Sequence, residues 1–172
     1  TDPGFEGRVN LSERGFGWRQ EHAPPGVALS LDDESPSSGA RSLLIEWGGE
    51  PNPGATVISQ LVLVEPGARY RLSFAARTEN VRAGVLPLVF VADESAEGGR
   101  VLAQSKTLPQ GTTNWATYDV EFTAGAKAEA VLVAVRREGC DASPCPMFGR
   151  VWLDDFSLRK LDSARLKPAV GN

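Results

Sequence analysis

The chain has 172 residues, a formal net charge of −4 at pH 7 and 41% hydrophobic residues. This length and apolar content suit one domain with a buried core and exclude a globally disordered chain. The mild acidity argues against nucleic acid as a partner. Because no run approaches about 18 apolar residues, we expect no direct membrane insertion. The 18 glycines and 12 prolines favour short strands joined by turns.

Alternation of apolar and polar residues, which is typical of half-buried strands, recurs along the first half of the chain. Less regular strands are predicted at 16–20, 27–31 and 42–47. Residues 56–64 form a continuous aliphatic run, and residues 69–78 alternate with Tyr70 and Phe74 on one face. Because a Pro-Gly turn at 65–68 joins these two strands, we predict that they pair as a hairpin.

Strands continue through the second half, at 85–92, 101–108, 115–123, 130–136 and 150–158. In the strand at 115–123, alternation places Thr117 and Asp119 outward. In the last strand, alternation puts Asp154 on the same face as Trp152 and Phe156, which we expect to be buried.

The spacing of turns predicts the architecture. About ten short strands with turns near every ten residues favour an all-β fold, a jelly-roll β-sandwich of two antiparallel sheets. We assign residues 1–159 to this domain. Residues 160–172 lose the alternation and become basic and polar, so we assign them to a C-terminal tail.

Signals for catalysis are weak, and we predict that the domain is not an enzyme. A histidine-dependent site would have to use His22, which precedes Ala-Pro-Pro in a predicted loop. Pairs of carboxylates that could hydrolyse glycosides are plentiful. Sequence alone does not say which of them face each other, and most acidic residues on loops and outer faces are solvated.

Cys140 and Cys145 are the two cysteines of the chain, with four residues between them, and they lie beside Gly and Pro. A local disulfide would contribute about 2 kcal/mol and would place the protein in an oxidising compartment, either secreted or in the periplasm or cell envelope. Two reduced thiols remain an alternative. A metal site is a third reading, although the sequence offers no second Cys/His pair to complete a zinc site.

Asp154 is a candidate metal ligand, because an aspartate on an inward face needs a partner or a cation. Glu6 lies in a short opening segment, and the first and last strands of a sandwich are often close. Together they predict a site for a hard cation such as Ca²⁺. The alternative is that Asp154 accepts backbone N–H groups at the sheet edge.

Several segments of the chain resemble one family when they are taken in order. They are Asp2-Pro3-Gly4-Phe5-Glu6, Ser38-Gly39-Ala40-Arg41-Ser42-Leu43, Ser59-Gln60 with 64–74, Trp115 with Phe122-Thr123, and 151–158. The family is that of the carbohydrate-binding modules that accompany xylanases and cellulases. Its fold is a galactose-binding-domain-like β-jelly roll.

The resemblance implies a structural Ca²⁺, with Glu6 and Asp154 as side-chain ligands and loop oxygens around Ser38 and Arg41 as backbone ligands. It does not carry over a sugar site. From the residues themselves, Trp47 is our candidate stacking platform, because it ends a strand just before two glycines.

Arg71 and Arg77 are the polar candidates for the sugar site, because both lie on the polar face of their strand. We expect Trp152 to be in the core and Trp115 to be structural.

Three functions follow as expectations. The first is a non-catalytic carbohydrate-binding module, stabilised by Ca²⁺, within a larger exported multidomain protein whose partner is a poly- or oligosaccharide. The second is an accessory or protein-interaction domain of an envelope protein, without a sugar site. The third is a hydrolase. An exposed tryptophan beside a polar groove would favour the first over the second.

Overall fold

The computed structural model of the chain describes residues 4–7, 17–20, 24–49, 54–95, 99–141 and 144–161. In this part of the chain the strands are β1 (Val27–Asp32), β2 (Ser42–Gly49), β3 (Thr56–Leu63), β4 (Arg69–Ala83), β5 (Pro87–Asp93), β6 (Arg100–Gln104), β7 (Gly111–Thr123), β8 (Ala130–Arg137) and β9 (Met147–Lys160). The candidate histidine His22 and the tail beyond residue 161 lie outside the described residues. A helix long and apolar enough to cross a membrane is absent from the described ranges.

The strands form two antiparallel sheets, so the predicted all-β sandwich is confirmed. One sheet has five strands in the order β1-β2-β9-β4-β7, and the other has four in the order β3-β8-β5-β6. Side chains from alternate positions of both sheets meet in one core. Its members include Leu43, Ile45, Leu72, Phe74, Val133 and Val135, each no more than 2% exposed.

Two short segments from the start of the chain close one end of this core. The ring of Phe5 stacks on that of Trp18 at 5.0 Å, and Trp18 packs edge-on against Phe156 of β9 at 4.6 Å. The neighbouring Arg19 exchanges two backbone hydrogen bonds with Ser59 at the edge of β3. The opening of the chain is therefore held against both the core and the four-stranded sheet.

The predicted hairpin between the strands at 56–64 and 69–78 is wrong. The first of these, β3, pairs with β8, whereas the second, β4, pairs with β7 and β9 in the other sheet. The turn at 65–68 therefore carries the chain from one sheet to the other. A turn signal fixes a reversal of direction but does not specify which strand becomes the partner.

Trp152 and Phe156 are both buried as predicted, but their predicted placement on one face is wrong because a β-bulge interrupts β9. Between Ser73 and Ala75 of β4, the partner strand β9 supplies one residue too many, and Asp155 has a positive φ of 54°. Phe156 belongs to the core, whereas Trp152 points to the opposite face of the sheet. Trp152 is nevertheless only 4% exposed.

Cys140 and Cys145 form a disulfide, which resolves the three readings left open by the sequence. The loop that it closes is tied to the sandwich by Arg137, which is 1% exposed. The guanidinium donates to the carbonyl oxygens of Val85 at 2.9 Å and Cys145 at 3.0 Å, and to the Cys145 sulfur at 2.9 Å. Burial lowers the pKa of Arg137.

Replacement of Arg137 by methionine should lower the free energy of unfolding by about 3 kcal/mol, because two buried carbonyl groups lose their donor. Urea denaturation of the oxidised protein measures this. The matched control is Arg136→Met, since the Arg136 guanidinium lies over the Phe90 ring at 4.1 Å and its loss should cost only about 1 kcal/mol. Equal effects of the two substitutions would contradict the anchoring role of Arg137.

Candidate functional site: the outer face of the five-stranded sheet

The candidate site lies on the face of the five-stranded sheet that points away from the other sheet, called here the outer face. Strand register places three side chains of this face in one row across the sheet: Leu44 of β2, Trp152 of β9 and Arg77 of β4. Trp115 of β7 continues the row, since Ala76 and Ala116 are paired. Two tryptophans and an arginine thus lie in one row that runs from the central strand β9 to the edge strand β7.

Arg77 is held between the two indole rings. Its guanidinium carbon lies 3.8 Å from the centroid of Trp152 and 5.6 Å from that of Trp115. Its Nη2 lies 3.7 Å from Asp32 Oδ2, and that same carboxylate oxygen accepts a hydrogen bond from Trp152 Nε1. The side chain of Arg77 is only 22% exposed. These contacts fix both the cation and the Trp152 ring.

Trp115 is the tryptophan of this row that remains half-buried rather than buried. Its Nε1 donates a hydrogen bond of 3.0 Å to the carbonyl oxygen of Ser35, which fixes the ring plane. Beside it lies an open groove of 440 Å³, whose lining includes Ser35, Arg77, Glu79, Thr112, Asn114 and Trp115. An indole face beside carboxylate, amide and hydroxyl groups can stack on an apolar surface while it hydrogen-bonds to hydroxyl groups.

The three ligand-binding residues predicted from sequence fall in different places. Arg77 lies in the row just described. Arg71 lies on the outer face but is six residues away along β4, where its Nη2 pairs with Glu121 at 2.6 Å. Trp47 is only 4% exposed and belongs to the core, so it offers no ring face to a ligand.

Trp115, which we expected to be structural, lines the groove instead. The sequence contained a signal for this outward orientation. Trp115 alternates in step with Thr117 and Asp119, which were predicted to point outward.

A second polar cluster joins the two ends of the domain. Asp154 is fully buried, and its Oδ2 accepts backbone N–H groups from Ser37 at 2.9 Å and Ser38 at 3.2 Å. Glu6 Oε1 accepts the N–H of Ala40 at 2.9 Å and that of Arg41 at 3.4 Å. The loop at 37–41 therefore donates backbone hydrogen bonds to both carboxylates, and Ser38 and Arg41 are among its donors.

Close packing accompanies this cluster. Gly39 has φ of 61°, and a Cβ there would lie 2.9 Å from Glu6 Cδ. A Cβ at Gly4 would lie 3.6 Å from Asp154 Oδ1 and 3.8 Å from Glu6 Oε1. The distances at Gly4 are ordinary contacts, so Gly39 is the position where glycine is needed for the Glu6 carboxylate to approach the loop.

The carboxylates of Glu6 and Asp154 offer hard oxygen atoms of the kind that Ca²⁺ prefers. In the structure these oxygens accept backbone N–H groups, which for Asp154 is the alternative that the sequence left open. Burial raises the pKa of Asp154, with the N–H groups of Ser38 and Asp155 acting in the opposite direction. A buried carboxylate with a raised pKa gains from a nearby cation. Within the described residues, no group of three or more His, Cys, Asp or Glu side chains could hold a metal ion. A cation here would therefore need carbonyl or water oxygens besides Glu6 and Asp154.

Asp32 should make the central row sensitive to acid. Its pKa is lowered, chiefly by the N–H of Glu34 and further by Trp152 and Arg77, although burial opposes them. Ionised Asp32 therefore stabilises the fold above its unfolded pKa of about 3.9, and this stabilisation is lost as pH falls through the lower folded pKa.

Asp32→Asn should destabilise the protein by about 2 kcal/mol at neutral pH, because the charged acceptor is lost, and the difference from wild type should vanish in strong acid. Denaturant unfolding followed by tryptophan fluorescence across the pH range measures this. Asp33→Asn is the control, since Asp33 is exposed. The same pH dependence in both variants would contradict the role of Asp32.

Comparisons with known proteins bear on the family and the fold. A family model described as "Carbohydrate binding domain" matches residues 2–143. No curated protein matches the chain in sequence. The structure titled "CBM4 structure and function" is similar with a TM-score of 0.66 and 14% identity, over 94% of this chain and 99% of that chain.

The CBM22-1 xylan-binding domain of a Paenibacillus barcinonensis protein is similar with a TM-score of 0.59 and 17% identity, over 94% and 93% of the two chains. The CBM22-1-GH10 modules of a Clostridium thermocellum endo-1,4-β-D-xylanase, complexed with xylohexaose, give a TM-score of 0.53 and 12% identity. The match covers 83% of this chain and 26% of that one. At these identities the structures show the fold alone, but the family model spans most of the sequence, and the chain belongs to the carbohydrate binding domain family.

Proposed function

We propose that the domain binds a xylan-type polysaccharide on its outer face and acts as a non-catalytic module of a larger exported protein. The observation that carries this proposal is a half-buried tryptophan, Trp115, beside a groove lined by polar side chains. Support for the ligand class comes from the xylan-binding domain and the xylohexaose complex among the similar structures. The disulfide supports an extracytoplasmic location.

Different side chains of the groove can make the stacking contact and the hydrogen bonds that a sugar needs. The exposed part of the Trp115 ring stacks on the apolar face of a pyranose, which removes apolar surface from water. Glu79 and Asn114 lie in the same groove and supply acceptors and a donor for hydroxyl groups. Trp152 does not contact the sugar itself, because the Arg77 guanidinium covers the Trp152 ring. Its role is to hold Arg77 in place.

Preorganisation strengthens this arrangement. The hydrogen bond to Ser35 holds Trp115, and the contacts with Asp32 and Trp152 hold Arg77 before any ligand arrives. Binding to a groove whose side chains are already ordered loses less conformational entropy than binding to mobile side chains. Such a surface suits a module that holds a polymer without changing it.

We also propose that Ca²⁺ stabilises the cluster at the ends of the domain, held by Glu6 and Asp154 with backbone oxygens near Ser38 and Arg41. The full burial of Asp154 and the meeting of both carboxylates on one loop support this. The ion would offset the charge of Asp154 and join the opening segment to β9. It has no part in contacting sugar in this proposal.

Replacement of Trp115 by alanine should weaken binding to soluble xylan by about tenfold or more, because the stacking surface is lost. Isothermal titration calorimetry measures this. Thr117→Ala is the matched control, since Thr117 is exposed on the same face of β7, and it should leave affinity unchanged. Lack of binding by the wild-type domain across a broad glycan panel would overturn the proposal in favour of an accessory domain.

Addition of Ca²⁺ at a hundredfold excess over its Kd should stabilise the domain by about 2.7 kcal/mol, or roughly 5–11 °C in Tm, relative to the chelated protein. Asp154→Asn and Glu6→Gln should each abolish this shift. Asp155→Asn serves as the neighbouring control and should retain it. The same Tm in Ca²⁺ and in chelator for wild type would rule out a structural calcium.

A further inference from the structure

A second exposed aromatic side chain, Phe148, lies on the same outer face as Trp115. Phe148 precedes Arg150 and Trp152 at alternate positions of β9, so all three point outward, and it is 49% exposed. It pairs with Gly48 of β2 on one side and with Arg82 of β4 on the other. Gly48 has no side chain, and a Cβ there would meet nothing within 4 Å, so this flank of the ring is open.

The backbone beneath Phe148 is firmly held, although its ring is exposed. The preceding Met147 is fully buried. At the following Gly149, a Cβ would lie 2.7 Å from Asn80 O and from Val81 Cα, so β9 lies directly against β4 here. A large exposed ring on an ordered backbone loses little entropy when it contacts a ligand.

Planar charged groups fill the surface between Phe148 and the Trp115 groove. Arg150 Nε lies 2.9 Å from Glu46 Oε1, and Arg150 Nη1 lies 3.4 Å from Glu79 Oε1. Glu79 also lines the Trp115 groove, so the two regions are continuous. Carboxylate and guanidinium groups between two aromatic rings offer donors and acceptors to hydroxyl groups along that path.

The separation of the two rings sets the size of a ligand that would contact both. Phe148 lies four residues from Trp152 along β9, or about 13 Å, and Trp115 lies two strands away from β9, or about 10 Å. Phe148 and Trp115 are therefore about 16 Å apart along the diagonal of the sheet. One pyranose ring is too short for this distance, whereas a chain of several sugar residues can span it.

We propose that Phe148 is a distal stacking contact of the same binding face, so that the domain selects oligosaccharides of several residues over shorter ones. This inference rests on the proposed function and extends it to chain length. A single ring surrounded by charged groups offers too little apolar area for a protein partner. A sugar chain already bound at Trp115 would meet Phe148 at high effective concentration, which strengthens binding without a second independent event.

The test is calorimetric titration of xylo-oligosaccharides from the disaccharide to the hexasaccharide into wild type, Phe148→Ala and Trp115→Ala. Phe148→Ala should weaken hexasaccharide binding by about tenfold, equivalent to burying roughly half of a phenylalanine side chain, and should leave disaccharide binding unchanged. Leu63→Ala is the control, because Leu63 is 66% exposed on the other sheet. It should bind like wild type.

The two proposals fail in different ways. Hexasaccharide affinity equal to wild type in Phe148→Ala, together with weakened binding in Trp115→Ala, would overturn the distal contact and leave the Trp115 site standing. An equal loss for all chain lengths in Phe148→Ala would also overturn it, because the effect would then not depend on reach. Absence of any binding by wild type would overturn the proposed function, and the distal contact with it.

Discussion

The bulge at Asp155 is the constraint on which both polar sites of this domain depend. By inserting one residue into β9, it lets Val151 and Leu153 face the core before the bulge and Phe156 after it. Unbroken alternation would send either Trp152 into the core or Phe156 out to solvent. Because the bulge resolves this conflict, Trp152 can support the outer face while Phe156 completes the aromatic cluster with Phe5 and Trp18.

The same bulge places a buried carboxylate where the chain can satisfy it. Asp154 lies immediately before the irregular residue, and its oxygens are bonded by N–H groups of Ser37, Ser38 and Asp155 rather than left in the core. A buried charge without partners would cost several kcal/mol. The loop that provides these groups also receives Glu6 and, through Ser35, fixes Trp115. The two polar sites thus share one loop, which connects the ends of the domain to its outer face.

The sequence predicted the features that depend on local residue patterns, namely strands and turns. It did not predict the features that depend on which strands pair. The alternation around Tyr70 and the turn spacing predicted the sandwich and most of its strands correctly, but the strand predicted at 16–20 is only an isolated bridge from Arg19 to Ser59 in the part that the structure describes. Strand partners were not predictable, because the turn at 65–68 does not say which sheet follows it. Nor was the bulge: aspartate adopts a positive φ more readily than most residues other than glycine, but an aspartate in a strand does not by itself predict one. Trp47 was misjudged from its place at a strand end, although its parity with Leu43 and Ile45 predicted the core.

The charges of the outer face bear on what kind of polymer it suits. Three of the arginines that lie along it are matched by carboxylates: Arg77 by Asp32, Arg150 by Glu46 and Glu79, and Arg71 by Glu121. Arg82 and Arg159 lie on the same face and form no ion pair with the residues that the structure describes. Paired charges leave little net field to attract a polyanion, yet their remaining lone pairs and protons can still bond to hydroxyl groups. An arginine site for a phosphate or sulfate polymer would instead keep its cations free of carboxylate partners. The pairing around Arg77 and Arg150 therefore favours a neutral, hydroxyl-rich chain there, which is the class of ligand proposed for this face.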